Sequence, residues 1–344
     1  MKAIRIHEHG GLDKLRYEEA PEPGLASPTD AIIKLRAASL NRNDIFIRQG
    51  LIHHEARFPR ILGADGAGTV VEVGKQVKNV TLGDAVCFYP LRGCGGCGFC
   101  TTDREFMCPQ VRVLGENEDG TYAEVVRMPA LNCFSIPEGL SFEEAAALPS
   151  AYVSVWRMLI TNADLKPGEH VLIRGIGGGV AIAALQVAAH LGARIIVTSR
   201  SDDKLARAKA LGAEHGINDS TSDFAKEARQ LTGKRGVDVV VDCVGGEGWI
   251  KSLACLAKGG RLVTCGATDT NNAQTDIQRI FWNDLNIFGS TLGDRQEFWQ
   301  ALNFVQSSRA KPVIDKILPL RDAAAAQQRM ESGEHFGKIV LQMN

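Results

Sequence analysis

Residues 171–186 read VLIRGIGGGVAIAALQ, and this stretch decides the fold. Its opening VLI is a short apolar run of the kind found in strands buried on both faces. Glycines follow, and then an alanine-rich run long enough for a helix. Glycines at such a turn let the backbone approach a pyrophosphate, and the helix N-terminus supplies free N–H groups and the positive end of its dipole. The spacing G-x-G-x-x-G is not strictly met: Gly175 and Gly177 fit one frame, which ends on Val180, and the next frame holds Ile176, Gly178 and Ala181. The context carries the reading, because a strand precedes the glycines and a helix and further strands follow. Gly175, Gly177, Gly178, Gly179 and Val180 are therefore the candidate dinucleotide-binding residues. The plain alternative is a glycine-rich turn with no ligand.

Outward from this turn the texture is strand, helix, strand. RIIVTS (194–199), the helical DDKLARAKALGA (202–213), VDVVVDCVG (237–245), a helix near 248–257 and GRLVTCG (260–266) follow in order. Apolar strands alternating with helices predict a doubly wound parallel sheet covered on both faces, an α/β fold. The end of the second strand reads Thr198-Ser199-Arg200-Ser201, where an acid would hold the adenosine ribose of NAD and repel a 2′-phosphate. Ser199 can donate a hydrogen bond, Arg200 can pair with the phosphate, and Lys204 adds positive charge, which favours NADP(H). The same residues also read as solvated charges behind Ser201 as a helix cap, and both readings can hold together.

Before about residue 150 the chain is rich in glycine and valine, with short strand-like runs such as AIIKLRAAS (31–39) and AGTVVEVG (67–74), which predicts a barrel-like β-rich domain. The segment after about 292 ends in GKIVLQM (337–343) and is expected to return to that domain. With 344 residues the chain has room for two domains. Its 39 basic and 40 acidic residues give no sign of a nucleic-acid partner, and no apolar run is long enough for a bilayer. The start, MKAIRIHEHG, lacks the apolar core of a signal peptide, which suggests a cytoplasmic protein with reduced thiols.

Four of the nine cysteines crowd into GCGGCGFCTTDREFMC (93–108), at Cys94, Cys97, Cys100 and Cys108. Four thiolates can close a tetrahedral shell around zinc and leave no position for substrate, which predicts one structural zinc. An iron–sulfur cluster or a redox thiol set are the alternatives. Cys87, Cys133, Cys243, Cys255 and Cys265 lie in apolar runs and read as small buried hydrophobes.

Together LGADGAGTVVEVG (62–74), the cysteine lobe, AAALPSAYVSVWRML (145–159), the glycine turn and GKIVL (337–341) resemble the medium-chain dehydrogenase/reductase superfamily over nearly the whole chain. The resemblance implies a GroES-like catalytic domain at 1–150 and 292–344, carrying the zinc lobe, and a Rossmann domain at 151–291. In the zinc alcohol dehydrogenases of the family a second, catalytic zinc is held by a cysteine, a His-Glu pair and a later cysteine or acid. The corresponding positions here are Asn41, Ala64-Asp65 and Ser150, so the soft ligands are replaced and the catalytic zinc is expected to be absent.

Without that Lewis acid, acceptors that take hydride readily fit better than simple alcohols, namely quinones and carbonyl-conjugated alkenes. Asn41 and Asp44 form the N-x-x-D pattern of the quinone-oxidoreductase branch, where the asparagine faces nicotinamide and substrate and its amide can donate to a developing oxyanion. Asn41, Asp44 and Ser150 are the candidate catalytic residues, and Asp44 also reads as a cap. The tyrosine donor of related enoyl reductases falls on Ile52, leaving His53 and His54 as neighbours that are either donors or ordinary loop histidines. The resemblance also assigns Ser154 to the nicotinamide, and Lys338 to Asp65 and the cofactor pyrophosphate; CGAT (265–268) ends a strand of the parallel sheet, so its backbone, Thr268 included, is expected to pass the nicotinamide side. FGSTLG (288–293) resembles the edge strand through which family members form homodimers or homotetramers. Two further readings stay open: an alcohol dehydrogenase whose metal has moved to His53 or His54 with Asp44 or Asp65, and an NADPH-binding protein with little turnover.

Overall fold

In the computed structural model, which describes residues 1–51 and 57–343, the apolar run before the glycines is the strand His170–Ile173. It lies inside a six-stranded sheet whose order is His215–Asn218, Arg194–Ser199, His170–Ile173, Val237–Val241, Leu256–Thr264 and Asn286–Gly289. Every pairing in it is parallel. Numbered along the chain, these strands run 3-2-1-4-5-6, so the direction of winding reverses between His170–Ile173 and Val237–Val241. Ligands of such sheets bind beyond the strand ends at that reversal. The strands are almost continuously apolar because helices cover both faces: Leu172, Ile196, Val240 and Leu262 pack with Phe224 and Leu253 in one core.

Ala151–Gly293 form this unit; Met1–Ser150 and Asp294–Asn344 form the other. The return therefore comes at Asp294, slightly later than the 292 read from sequence. At the centre of the second unit is the long strand Asp30–Ser39, flanked by Asp65–Val73 on one side and Lys338–Gln342 on the other. Both neighbours run antiparallel to it. Ile33, Leu35, Val70, Phe88 and Leu341 fill its core. Among the described residues no helix is long and apolar enough to cross a membrane.

Candidate active site and metal centre

Register brings the first site together. The antiparallel ladder sets Asp65 opposite Ser39, and on the other flank Val340 opposite Ser39. The end of the central strand thus lies beside the starts of two others, which begin with Asp65 and Lys338. Leaving that strand, the chain turns at Asn41 into the helix Arg42–Gln49, with Asn41 as its N-cap. Lys338 Nζ donates to Asn41 Oδ1 at 2.7 Å and to Asp65 Oδ2 at 3.2 Å. Asp65 Oδ1 accepts from the Ser150 backbone N–H at 3.0 Å and from Ser150 Oγ at 2.5 Å. The Asp65 carboxylate and the Lys338 ammonium are both buried, so each needs the other to offset its lost hydration.

An ammonium has only donors, so the face of the Asn41 amide turned to Lys338 must be its oxygen. The amide nitrogen Nδ2 then points elsewhere. It is buried and finds no hydrogen-bond partner among the described residues. A buried amide N–H without a partner is costly, and it is relieved by a ligand that brings an oxygen.

Asp44, in the first turn of the helix, accepts the Asn41 backbone N–H at 2.8 Å, the return arm of a capping box. The capping role read from sequence is present. Asp44 is also fully buried, and the same oxygen accepts the Tyr122 hydroxyl at 2.8 Å. Burial pushes its carboxyl up to about 7, against the pull of these two donors. Tyr122 is driven well above the usual phenol range by burial and by Asp44. Sequence reading passed over Tyr122. Gly63, at φ +95°, leaves room for it: a Cβ there would stand 2.4 Å from the Tyr122 ring.

Whether a catalytic zinc suits this cluster is a matter of donor chemistry. Asn41, Asp65 and Ser150 offer oxygen only, and the Lys338 ammonium already occupies the space between the first two. A dication beside that ammonium would be repelled, and no thiolate or imidazole compensates. These residues do not fit a catalytic zinc. Lys338 gives two of its three ammonium donors to Asp65 and Asn41. His53 and His54 fall outside the described residues.

The cysteine lobe answers the same test differently. The sulfurs of Cys94, Cys97, Cys100 and Cys108 all lie within 4.8 Å of one another. Cys94 and Cys100 are 4.0 Å apart, Cys97 and Cys100 3.6 Å. A tetrahedron of Zn–S bonds of ~2.3 Å has edges of about 3.8 Å, so the donor set fits zinc. Backbone N–H groups of Cys94 and Gln110 donate to Cys108 Sγ at 3.4 and 3.3 Å, as thiolates require. N–H groups of Gly96 and Cys97 pull the Cys94 thiol down to about 6. The lobe is anchored by an ion pair of Glu105 with Arg295 at 3.2 Å.

In the parallel-sheet unit, Gly175 and Gly177 have φ of +67° and +137°, the left-handed region that glycine enters freely. Gly178 is the N-cap of the helix Gly179–His190 and makes no side-chain cap bond, leaving the first-turn N–H groups of Gly179 and Val180 for an anion. Nothing stands within 4 Å of where a Gly178 Cβ would be. The turn fits a dinucleotide pyrophosphate. Ser199 is buried, its hydroxyl accepting from the Ser201 backbone at 3.1 Å, and Arg200 beside it is exposed. Ser201 does cap the helix Asp202–Ala210, which carries Lys204. Thr268 donates its backbone N–H to Cys243 at 3.2 Å, and Ser154 is buried on the helix Pro149–Trp156. One pair was missed. Arg174, next to Gly175, donates to Asp242 at 2.8 Å, and Asp242 also accepts from the N–H groups of Val244 and Gly245 at 3.0 Å. This buried pair ties the ends of the two strands at the winding reversal. Arg174 directly follows the strand His170–Ile173, and nothing in the sequence names its partner.

Comparison with known proteins identifies both units. Residues 27–138 match the alcohol dehydrogenase GroES-like domain and residues 179–307 the zinc-binding dehydrogenase family. A zinc-type alcohol dehydrogenase-like protein of Schizosaccharomyces pombe is 35% identical over 98% of each chain. An NAD-dependent alcohol dehydrogenase of Sulfurisphaera tokodaii is 31% identical over 99% of each. The crystal structure of an NAD-dependent alcohol dehydrogenase superposes with a TM-score of 0.96 over 100% of both chains, at 38% identity.

Proposed function

The chain belongs to the medium-chain dehydrogenase/reductase superfamily and is an oxidoreductase, and from that premise we propose that it passes hydride from NADPH to a quinone or a carbonyl-conjugated alkene without a catalytic zinc. The observation that carries this reading is the Lys338–Asp65–Asn41 cluster, in which an ammonium takes the place a Lewis acid would need. The bound nicotinamide supplies the hydride. The protein's part is to bind, orient and stabilise charge. First-turn N–H groups behind Gly178 hold the pyrophosphate, and Ser199 and Arg200 take the 2′-phosphate, with Lys204 in support. As negative charge develops on the acceptor oxygen, Asn41 Nδ2 donates to it, and Lys338 on the amide oxygen strengthens that donor. Ser150 keeps Asp65 in place for Lys338.

The names of the relatives favour a second reading, NAD-linked alcohol oxidation. The purified enzyme is assayed with NADPH and NADH against quinones and enones, and in reverse with alcohols, alongside metal analysis. NADPH oxidation with one zinc per chain is expected. NAD-linked alcohol oxidation with two zincs would establish the second reading. Asn41→Ala is expected to cut kcat about 10²-fold with KM for NADPH unchanged. Arg200→Ala is expected to raise KM for NADPH about tenfold and leave NADH untouched. Tight NADPH binding without turnover on any acceptor would leave only a binding role.

The same reading includes a homodimer or homotetramer. Asn286–Gly289 is the edge of its sheet. Nearby in sequence Ile277, Phe281 and Trp282 are 67–72% exposed, an apolar surface suited to a second copy. The four lobe thiols need a reducing compartment, which supports the cytoplasm.

A further inference from the structure

Sequence analysis treats Cys243 and Cys265 with the buried small hydrophobes, and for Cys87, Cys133 and Cys255 the structure agrees. The other two differ. Each follows the carboxyl end of a strand, Val237–Val241 and Leu256–Thr264, and parallel register sets Val241 beside Val263. Two positions further along both chains, the cysteines stand side by side, with sulfurs 3.3 Å apart. Both are partly exposed. Neighbouring strands lie about 4.8 Å apart, inside the range of about 4.4–6.8 Å that a disulfide spans between Cα atoms.

We infer that Cys243 and Cys265 form a reversible disulfide when the protein meets hydrogen peroxide, and that the oxidised form binds the dinucleotide more weakly. The chemistry balances. The Cys243 thiolate attacks one peroxide oxygen, the O–O bond breaks, hydroxide leaves, and a sulfenic acid remains on Cys243. The Cys265 sulfur attacks that sulfenic sulfur, the S–O bond breaks, and water leaves as the S–S bond forms. In sum, two thiols are oxidised and one peroxide is reduced to two waters. The Cys265 S–H bonded to Cys243 holds the Cys243 thiol below the usual range, so the attacking thiolate and its resolving thiol are already in contact.

Weaker binding follows from position. The sulfurs must close from 3.3 Å to about 2.05 Å. Each is joined to a loop beyond the strand ends, where sheets of this winding take their ligands. The loops have little slack. Thr268 N–H is bonded to Cys243 O, Asp269 N–H to Val244 O at 2.9 Å, and Asp242 fixes Val244 and Gly245 through the pair with Arg174. Contraction therefore pulls together the loops after Val237–Val241 and Leu256–Thr264, the first of which borders the winding reversal. Bound dinucleotide, which favours the reduced geometry, should slow the reaction in turn.

Trypsin separates the two cysteines into peptides 236–251 and 262–279, neither of which contains another cysteine. The zinc-loaded protein is treated with limiting hydrogen peroxide, with and without NADPH, and digested without reductant. The expected result is a cross-linked 236–251/262–279 species lighter by two hydrogens than its parts, formed more slowly with NADPH, and a Kd for NADPH raised about tenfold. A dithiol should reverse both, and Cys243→Ser should abolish both. Loss of affinity without this cross-link, or the cross-link with unchanged Kd, would overturn the inference. Equal peroxide sensitivity in Cys243→Ser would do the same, assigning the effect to the lobe thiols.

Discussion

The cysteine lobe and the Lys338 cluster sit in the same unit and gather similar numbers of polar side chains, yet they solve the problem of buried charge in opposite ways. In the lobe four sulfurs face one another with no cation of the protein's own between them among the described residues, a donor set that a metal would neutralise. In the cluster one carboxylate and one amide hold an ammonium that the chain itself provides, and a hydroxyl donates to the far oxygen of the carboxylate. The lobe's ligands are neighbours in sequence and need only a loop. The cluster's partners are up to 297 positions apart and need the whole sheet. Charge is balanced from outside in one place and from inside in the other.

The largest effect that separates them is metal removal. Stripping zinc with a chelator, or Cys108→Ser, is expected to cost about 5 kcal/mol and lower Tm by roughly 10–20 °C. Calorimetry with metal analysis checks this. A second zinc that leaves together with activity would erase the contrast between the two regions. Next comes Lys338→Met, which leaves the Asp65 carboxylate buried without its cation. The expected loss is about 3–5 kcal/mol in urea unfolding, largely recovered in Lys338→Met/Asp65→Asn, where neither charge remains. If the single and double variants were equally unstable, the pair would be packing and not electrostatics.

How much of this was legible from sequence follows from the same contrast. The lobe could be read outright, because its ligands and their spacing lie within one loop. The glycine turn was legible because strand, turn and helix are contiguous. In the cluster Asn41, Asp44, Asp65, Ser150 and Lys338 were each named, and the Lys338–Asp65 pair and the Asp44 cap with them, but not the bonds of Lys338 to Asn41 or of Ser150 to Asp65. Register between distant strands decides that, and it gave the Lys338 ammonium to Asn41 as well as Asp65. Tyr122 and Arg174 were invisible, since a tyrosine or arginine in an apolar run does not announce its buried partner. Cys243 and Cys265 were read singly as core, because only parallel pairing sets them together.

Asp44 gives the smallest and most discriminating effect, since it tests whether the cluster holds a proton where the lobe offers a metal site. Its folded value of about 7 lies above the ordinary 3.8. A carboxyl raised in this way contributes stability that is fully present below pH 3.8 and is lost as pH rises through 7, because the unfolded chain sheds the proton first. The whole swing is at most about 4 kcal/mol at ~1.4 kcal/mol per unit. Asp44→Asn keeps a neutral oxygen that can still accept from Asn41 and Tyr122, and it does not titrate. The variant should therefore gain on the natural protein steadily from about pH 4 to pH 7 and hold a constant advantage above that. Urea unfolding of both proteins across this range measures the difference directly and cancels any acid sensitivity of the lobe, which the two share. Parallel stability curves would mean that Asp44 is ionised in the folded protein throughout, its charge carried by the helix N-terminus and Tyr122.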